Sequence, residues 1–203
     1  MNKIILIAIV GGIAALLLGI WSAIQLVSEQ PVVNTSTYTA ATVLPQPRLL
    51  PPFMLVDQDG QVLEVADLEG RWTIVFMGFT SCGHICPMIM AKLRAIKAAV
   101  QSPVEVLFVS VDPERDTPDK IHSYVRGFDA SFTGASGAPE EIARFANALG
   151  APYFVDSSAD PYVVDHSSAL FILNPDGAFA AVFTAPHKVE AIAADLDQLL
   201  RKN

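Results

Sequence analysis

Residues Trp72 to Phe79 are a run of β-formers, Pro87 to Val100 carries apolar residues at helical spacing, and Val104 to Val111 is almost continuously apolar. In that order they predict a strand, a turn, a helix and a second strand, and the second strand has the character of one buried on both faces of a parallel sheet. Such a unit commits the chain to an α/β architecture. The turn after the first strand holds the two cysteines of the chain, Cys82 and Cys86. Pro87 suits a first helical turn, which puts Cys86 at or beside the helix N-terminus, where free N–H groups and the helix dipole favour a thiolate.

The segments around this unit fit the same class. Phe53 to Val56, the turn Asp57-Gln58-Asp59-Gly60 and Gln61 to Glu64 predict a short hairpin. Thr117–Arg126 and Pro139–Leu149 read as helices, the second starting on proline with Glu140 and Glu141 in its first turn. Ser131 to Gly134 reads as a short strand between them. A late hairpin follows, Ala169–Leu173 and Ala178–Thr184 around Asn174-Pro175-Asp176-Gly177, and a helix from Lys188 to Leu200 closes the domain.

The N-terminus is of a different kind. Beyond Lys3 an uncharged apolar run extends from Ile4 to about Val27, long enough at ~1.5 Å per residue to cover the ~30 Å hydrocarbon thickness of a bilayer. It exceeds the apolar core of a typical secretory signal and no clear cleavage site follows it, so residues 1–27 are expected to form an uncleaved single-pass anchor. Lys3 flanks it on one side and Glu29 is the first charge on the other, which predicts a cytoplasmic N-terminus and an outward-facing domain at the inner membrane of a bacterium. Residues 28–51, rich in Pro, Ser and Thr, are expected to be an extended linker, with the folded domain spanning 52–203. A net charge of −8, with its 13 basic residues scattered, lacks the electrostatic footprint of a nucleic-acid-binding protein.

Two thiols with three residues between them at a strand-to-helix turn suit dithiol chemistry or a thiophilic metal. A structural disulfide here would close so short a loop that it would restrict the unfolded chain very little. A structural zinc site would want four protein ligands. Met88 and Met90 follow closely, but their helical positions suit core packing for at least one of them, and neither is counted as a ligand. Asp112, Glu114, Arg115 and Asp116 follow the second strand, at the edge where α/β proteins place their sites. One of these carboxylates is a candidate to orient a histidine, and Asp116 or Thr117 a candidate helix cap.

Several segments together resemble the Sco/SenC family of copper chaperones, a branch of the thioredoxin-like fold. They are Cys82-Gly83-His84-Ile85-Cys86-Pro87, Val109 to Pro118 with its Asp112-Pro113-Glu114-Arg115-Asp116-Thr117 core, Phe132-Thr133-Gly134, and Asp165-His166-Ser167-Ser168 ahead of Asn174 to Gly177. The resemblance implies a thioredoxin-like α/β fold behind an N-terminal transmembrane helix, with Cys82, Cys86 and His166 as ligands of copper, as Cu(I), Cu(II) or both. It implies a role in assembling the binuclear copper site in subunit II of cytochrome c oxidase, with that subunit or another periplasmic copper or thiol protein as partner. A metallochaperone is expected more than an enzyme. The alternative is a thiol–disulfide oxidoreductase, with Cys82 attacking and Cys86 resolving. The family commonly has Pro-Asp after the first cysteine where this chain has Gly83-His84, a change that loosens the turn and removes an anion beside the thiols. His84, His122 and His187 are expected at the surface.

Overall fold

The computed structural model describes residues 2, 11–13, 16–22 and 38–201. The backbone divides into two units, Met1–Asn34 and Thr35–Asn203. In the first, residues 11–13 and 16–22 are helical. The expected anchor over 1–27 lies largely outside the described residues, and among the described residues no helix is long and apolar enough to cross a membrane.

The second unit runs β1 (Ala41–Leu49), β2 (Leu55–Asp57), β3 (Val62–Leu63), a 3-10 turn (Val65–Leu68), β4 (Thr73–Gly78), α1 (Ile85–Ala99), β5 (Glu105–Ser110), α2 (Pro118–Arg126), β6 (Thr133–Ser136), α3 (Pro139–Leu149), β7 (Tyr153–Asp156), β8 (Val163–His166), β9 (Leu170–Leu173), β10 (Ala178–Phe183) and α4 (Val189–Leu200). Eight strands form one sheet in the order β1-β10-β9-β4-β5-β6-β2-β3, and β7 and β8 form a separate two-stranded sheet. β4, β5 and β6 are parallel neighbours, as the central βαβ pattern requires. β9 runs antiparallel beside β4 on the other side.

Alternation along β4 and β5 sends side chains to two cores. Ile74, Phe76, Val106 and Phe108 meet α1, α2 and α4 on one face, through Ile89, Leu93, Ile121 and Leu196. Val75, Met77, Leu107 and Val109 meet α3 on the other, through Ile142, Phe145 and Leu149. Helices on both faces keep β4 dry along its whole length, and all six of its residues are buried. This is the mixed α/β thioredoxin-like architecture.

Residues 41–49, expected within the linker, are an edge strand. β1 pairs antiparallel with β10, and its register shifts between Val43 and Arg48, the stretch that contains Pro45 and Pro47. Proline cannot donate to a ladder, so an edge position with a local irregularity is where two prolines fit in a sheet. The start of the strand is fixed by the Asp195 carboxylate of α4, which accepts the backbone N–H groups of Thr39, Ala40 and Ala41 at 2.6–3.1 Å. Residues 28–37 lie outside the described residues.

Candidate metal centre

β4 ends at Gly78, and the chain turns through Phe79 to His84 before α1 begins at Ile85. The turn is held from below by Asp116. This carboxylate accepts the Thr80 backbone N–H at 2.8 Å, the Thr80 hydroxyl at 2.6 Å and the Ser110 hydroxyl at 2.6 Å. Asp116 is therefore a buried clasp between the cysteine turn and the end of β5; the cap of α2 is Thr117, whose side chain accepts from the Lys120 N–H. Gly78 is required by close approach, because a Cβ there would lie 2.9 Å from the Cys86 sulfur and 3.2–3.3 Å from the rings of Phe108 and Phe76.

The two thiols are free and unlike one another. Cys82 is half-buried, and its sulfur accepts the backbone N–H of Cys86 at 3.4 Å. Burial works against ionisation of this thiol, but backbone N–H groups of Cys86, His84 and Ile85 converge on it and together hold it below the usual thiol range. Cys86 lies in the first turn of α1, as expected, yet it is the harder thiol to ionise. It is fully buried, and desolvation, with the Cys82 sulfur and Asp116 nearby, pushes it far up. The expectation of a thiolate at Cys86 is thus corrected: the helix N-terminus turns its free N–H groups toward Cys82, while Cys86 points into the core.

His166 comes from the last position of β8. Its Nδ1 is 3.0 Å from the Ser167 carbonyl, which can only accept, so Nδ1 carries the ring proton and Nε2 presents a lone pair. That lone pair lies 3.2 Å from the Cys86 sulfur, and the S–H donates to it. Phe76 and Phe79 set their rings edge-on to the imidazole, with centroids at 5.9 and 5.7 Å. Among the described residues no carboxylate bonds the histidine, so none of the candidates after β5 orients it directly. His187 also departs from expectation: it is buried, donates from Nε2 to the Ser168 carbonyl at 2.8 Å, and burial holds its pKa down. His84 is exposed, Met88 is exposed and Met90 is buried in the core.

The sulfurs of Cys82 and Cys86 and a ring nitrogen of His166 lie within 4.8 Å of one another, the one such group of three His, Cys, Asp or Glu donors among the described residues. Three donors around one ion at bond lengths of about 2.0–2.3 Å stand roughly 3.5–4 Å apart, so the cluster needs little movement to close on a metal. Its chemistry selects a soft ion: two sulfurs, one imidazole and no carboxylate suit Cu(I) and leave a place for a fourth donor.

The fold and the site define a thioredoxin-like α/β domain that gathers two thiols and an imidazole at the mouth of one helix. The SCO1/SenC family model matches residues 41–201. A putative copper-binding protein of Stutzerimonas stutzeri is 34% identical over 163 residues, 78% of this chain and 80% of that protein. The mitochondrial SCO1 homolog 1 of Arabidopsis thaliana is 36% identical over 156 residues, 74% of this chain; the match spans 47%, about half, of that longer protein. Among solved structures, Arabidopsis thaliana ScoI with copper bound superposes with a TM-score of 0.71 at 34% identity, covering 76% of this chain and 99% of that one. The chain belongs to the SCO1/SenC family.

Proposed function

We propose that this chain is a membrane-anchored copper carrier that assists assembly of the binuclear copper site of cytochrome c oxidase, holding the ion on Cys82, Cys86 and His166. The observation that carries the reading is the convergence of these three donors with the His166 Nε2 lone pair facing the sulfurs. The copper-bound structure and the putative copper-binding relative support the identity of the ion. Residues 4–27 serve as the anchor and hold the domain on the outer side of an inner membrane, facing subunit II of the oxidase or another copper or thiol protein of that compartment.

Taking up the ion displaces the Cys86 proton, which is where the three-donor set becomes favourable for a buried thiol that otherwise resists ionisation. Handing it on requires an incoming thiolate, and Cys82 is the donor a partner reaches first because it is the more exposed sulfur. Copper titration of the full chain in detergent under reducing conditions tests this. One Cu(I) per chain is expected, with loss of stoichiometric binding in Cys82→Ser and an affinity at least about tenfold lower in His166→Ala. Undiminished affinity in His166→Ala overturns the three-donor assignment.

The difference between the two thiols favours a second activity at the same place. The Cys82 thiolate attacks one sulfur of a partner disulfide and expels the other as a thiolate. Cys86 then gives up its proton and attacks the Cys82 sulfur, releasing the partner's second thiol and leaving this protein oxidised by two electrons.

A further inference from the structure

The donor that comes from farthest away along the chain is held by a linkage the metal cluster itself does not contain. β8 carries His166 but pairs only with β7, and neither strand is hydrogen-bonded to the main sheet. Immediately before β8 stands Tyr162. Its hydroxyl donates to Asp112 Oδ1 at 2.8 Å, and the other oxygen of the same carboxylate accepts Arg115 Nε at 2.5 Å. Asp112 has no exposed side-chain surface. A carboxylate withdrawn from water must have its oxygens satisfied, and here one is satisfied by the hairpin and the other by its own loop. Arg115 then closes the arrangement from the other side. Its guanidinium carbon lies 3.7 Å from the centroid of the Tyr162 ring and 5.6 Å from that of Phe79, and Phe79 is the ring that meets His166 edge-on.

We propose that Asp112, Arg115 and Tyr162 form a latch that fixes the β7–β8 hairpin against the β5–α2 loop and so sets the distance from the His166 imidazole to the two sulfurs. These are positioning residues, since none of them touches the donors' sulfur or nitrogen atoms. The same loop reaches both arms of the site: Asp112 binds the hairpin that bears the nitrogen, and Asp116, four residues on, binds Thr80 in the turn that bears the sulfurs. The spacing between the two acids is thereby converted into the spacing between the two halves of the donor set. A partner that displaces Tyr162 would loosen the nitrogen arm without disturbing the thiols.

The proposal rests on the reading of Cys82, Cys86 and His166 as one copper site, and Tyr162→Phe tests it in the full chain because only the hydroxyl is lost. In the metal-free protein, amide exchange across residues 163–166 is expected to accelerate at least about tenfold while β4 and β5 keep their protection. With Cu(I) supplied, affinity is expected to fall by about 10–100-fold, the range found when a group supporting a metal ligand is removed. In a His166→Ala background the same substitution is expected to change copper affinity by less than about twofold, because a positioning residue has nothing left to position. Asp112→Asn, which keeps an oxygen for Tyr162 but removes the charge, is expected to fall between wild type and Tyr162→Phe. Unchanged exchange in the hairpin, or an equal loss of affinity with and without His166, overturns the latch. Absence of copper binding in the wild-type chain would instead overturn the proposed function, and the exchange result would still decide the latch.

Discussion

The sulfur arm and the nitrogen arm of the site meet at one point from mounts of different kinds. Cys82 and Cys86 leave the end of β4, a strand paired on both sides and buried at every residue, and enter α1, whose inner face of Ile89, Met90, Leu93 and Ile96 is packed into the larger core. His166 stands at the end of a two-strand hairpin whose outer face exposes Phe154 and Val163, whose inner face rests Tyr153 and Val164 on the edge of the α3-side core, and whose polar tie to the β5–α2 loop runs through Tyr162. The sulfurs are therefore placed by a strand and a helix buried in the core, which is cooperative and stiff, and the nitrogen by a partly buried apolar contact together with discrete polar ties that can be undone singly. For a protein that must take an ion and give it up, this divides the work: the thiols keep their geometry while the third donor remains the adjustable member.

The largest expected contrast lies within the sulfur arm and sharpens the claim that packing fixes it. At about pH 8, a soluble alkylating agent such as iodoacetamide is expected to label Cys82 at least about a hundredfold faster than Cys86, because only the thiolate reacts and only Cys82 has its pKa lowered. Timed quenching and peptide mass mapping read the two rates. The linkage has opposite signs at the two positions. The depressed pKa of Cys82 contributes stability that is present above the ordinary thiol pKa and is lost as pH falls through the folded-state value. The raised pKa of Cys86 contributes stability that is fully present below the ordinary thiol pKa and is lost as pH rises through the folded-state value. Equal labelling would mean that Cys86 is not held in the core, and the contrast between the arms would lose its basis.

A smaller effect is expected from crowding the same mount. Gly78→Ala places a methyl group 2.9 Å from the Cys86 sulfur, with Phe76 and Phe108 closing the other sides. Overpacking of this kind is expected to cost about 1–2 kcal/mol in denaturant unfolding. The sulfur must give way, so Cys86 labelling is expected to rise in parallel. A variant as stable as the parent, with labelling unchanged, would show that the turn has slack and that the sulfur arm is no stiffer than the hairpin.

The sulfur arm was also the more legible of the two in the sequence. Alternation and helical spacing around Cys82 and Cys86 reflect local geometry, and the strand, the helix and its early proline all lie within one or two residues of the expected bounds. Which sulfur ionises was not legible, because it depends on which thiol faces the core and not on its distance from the helix start. β1 was hidden by its prolines, since an edge strand pinned by Asp195 some 150 residues later in the chain leaves no local period. β7 and β8 were hidden for a related reason: two four-residue strands with mixed faces carry too little pattern to separate from loop. His166 was legible only through family resemblance, and the support given by Asp112 through Tyr162 spans 50 residues that no spacing rule connects. The loop carboxylates were candidates to orient the histidine directly, without one being singled out; none does, and Asp112 instead binds Tyr162 at the start of the strand that carries His166.

The smallest expected effect bears on the hairpin, and it is the one most able to break the comparison. Phe154 sits in β7 opposite Asp165, is 59% exposed, and belongs to a sheet that shares no ladder with the main one. If the hairpin is held by discrete ties, the apolar surface Phe154 presents to water contributes little to global unfolding. Phe154→Ser is then expected to shift the unfolding free energy by no more than about 0.5 kcal/mol. If instead the hairpin unfolds only together with the main sheet, removing a ring from it reduces the stability of the whole unit, and amide exchange at residues 163–166 in the parent protein follows global unfolding. A loss well above 0.5 kcal/mol with exchange of that kind would make the two arms equally rigid. The nitrogen donor would then be fixed by the same cooperative packing as the sulfurs, and the imidazole would no longer be the adjustable member of the set.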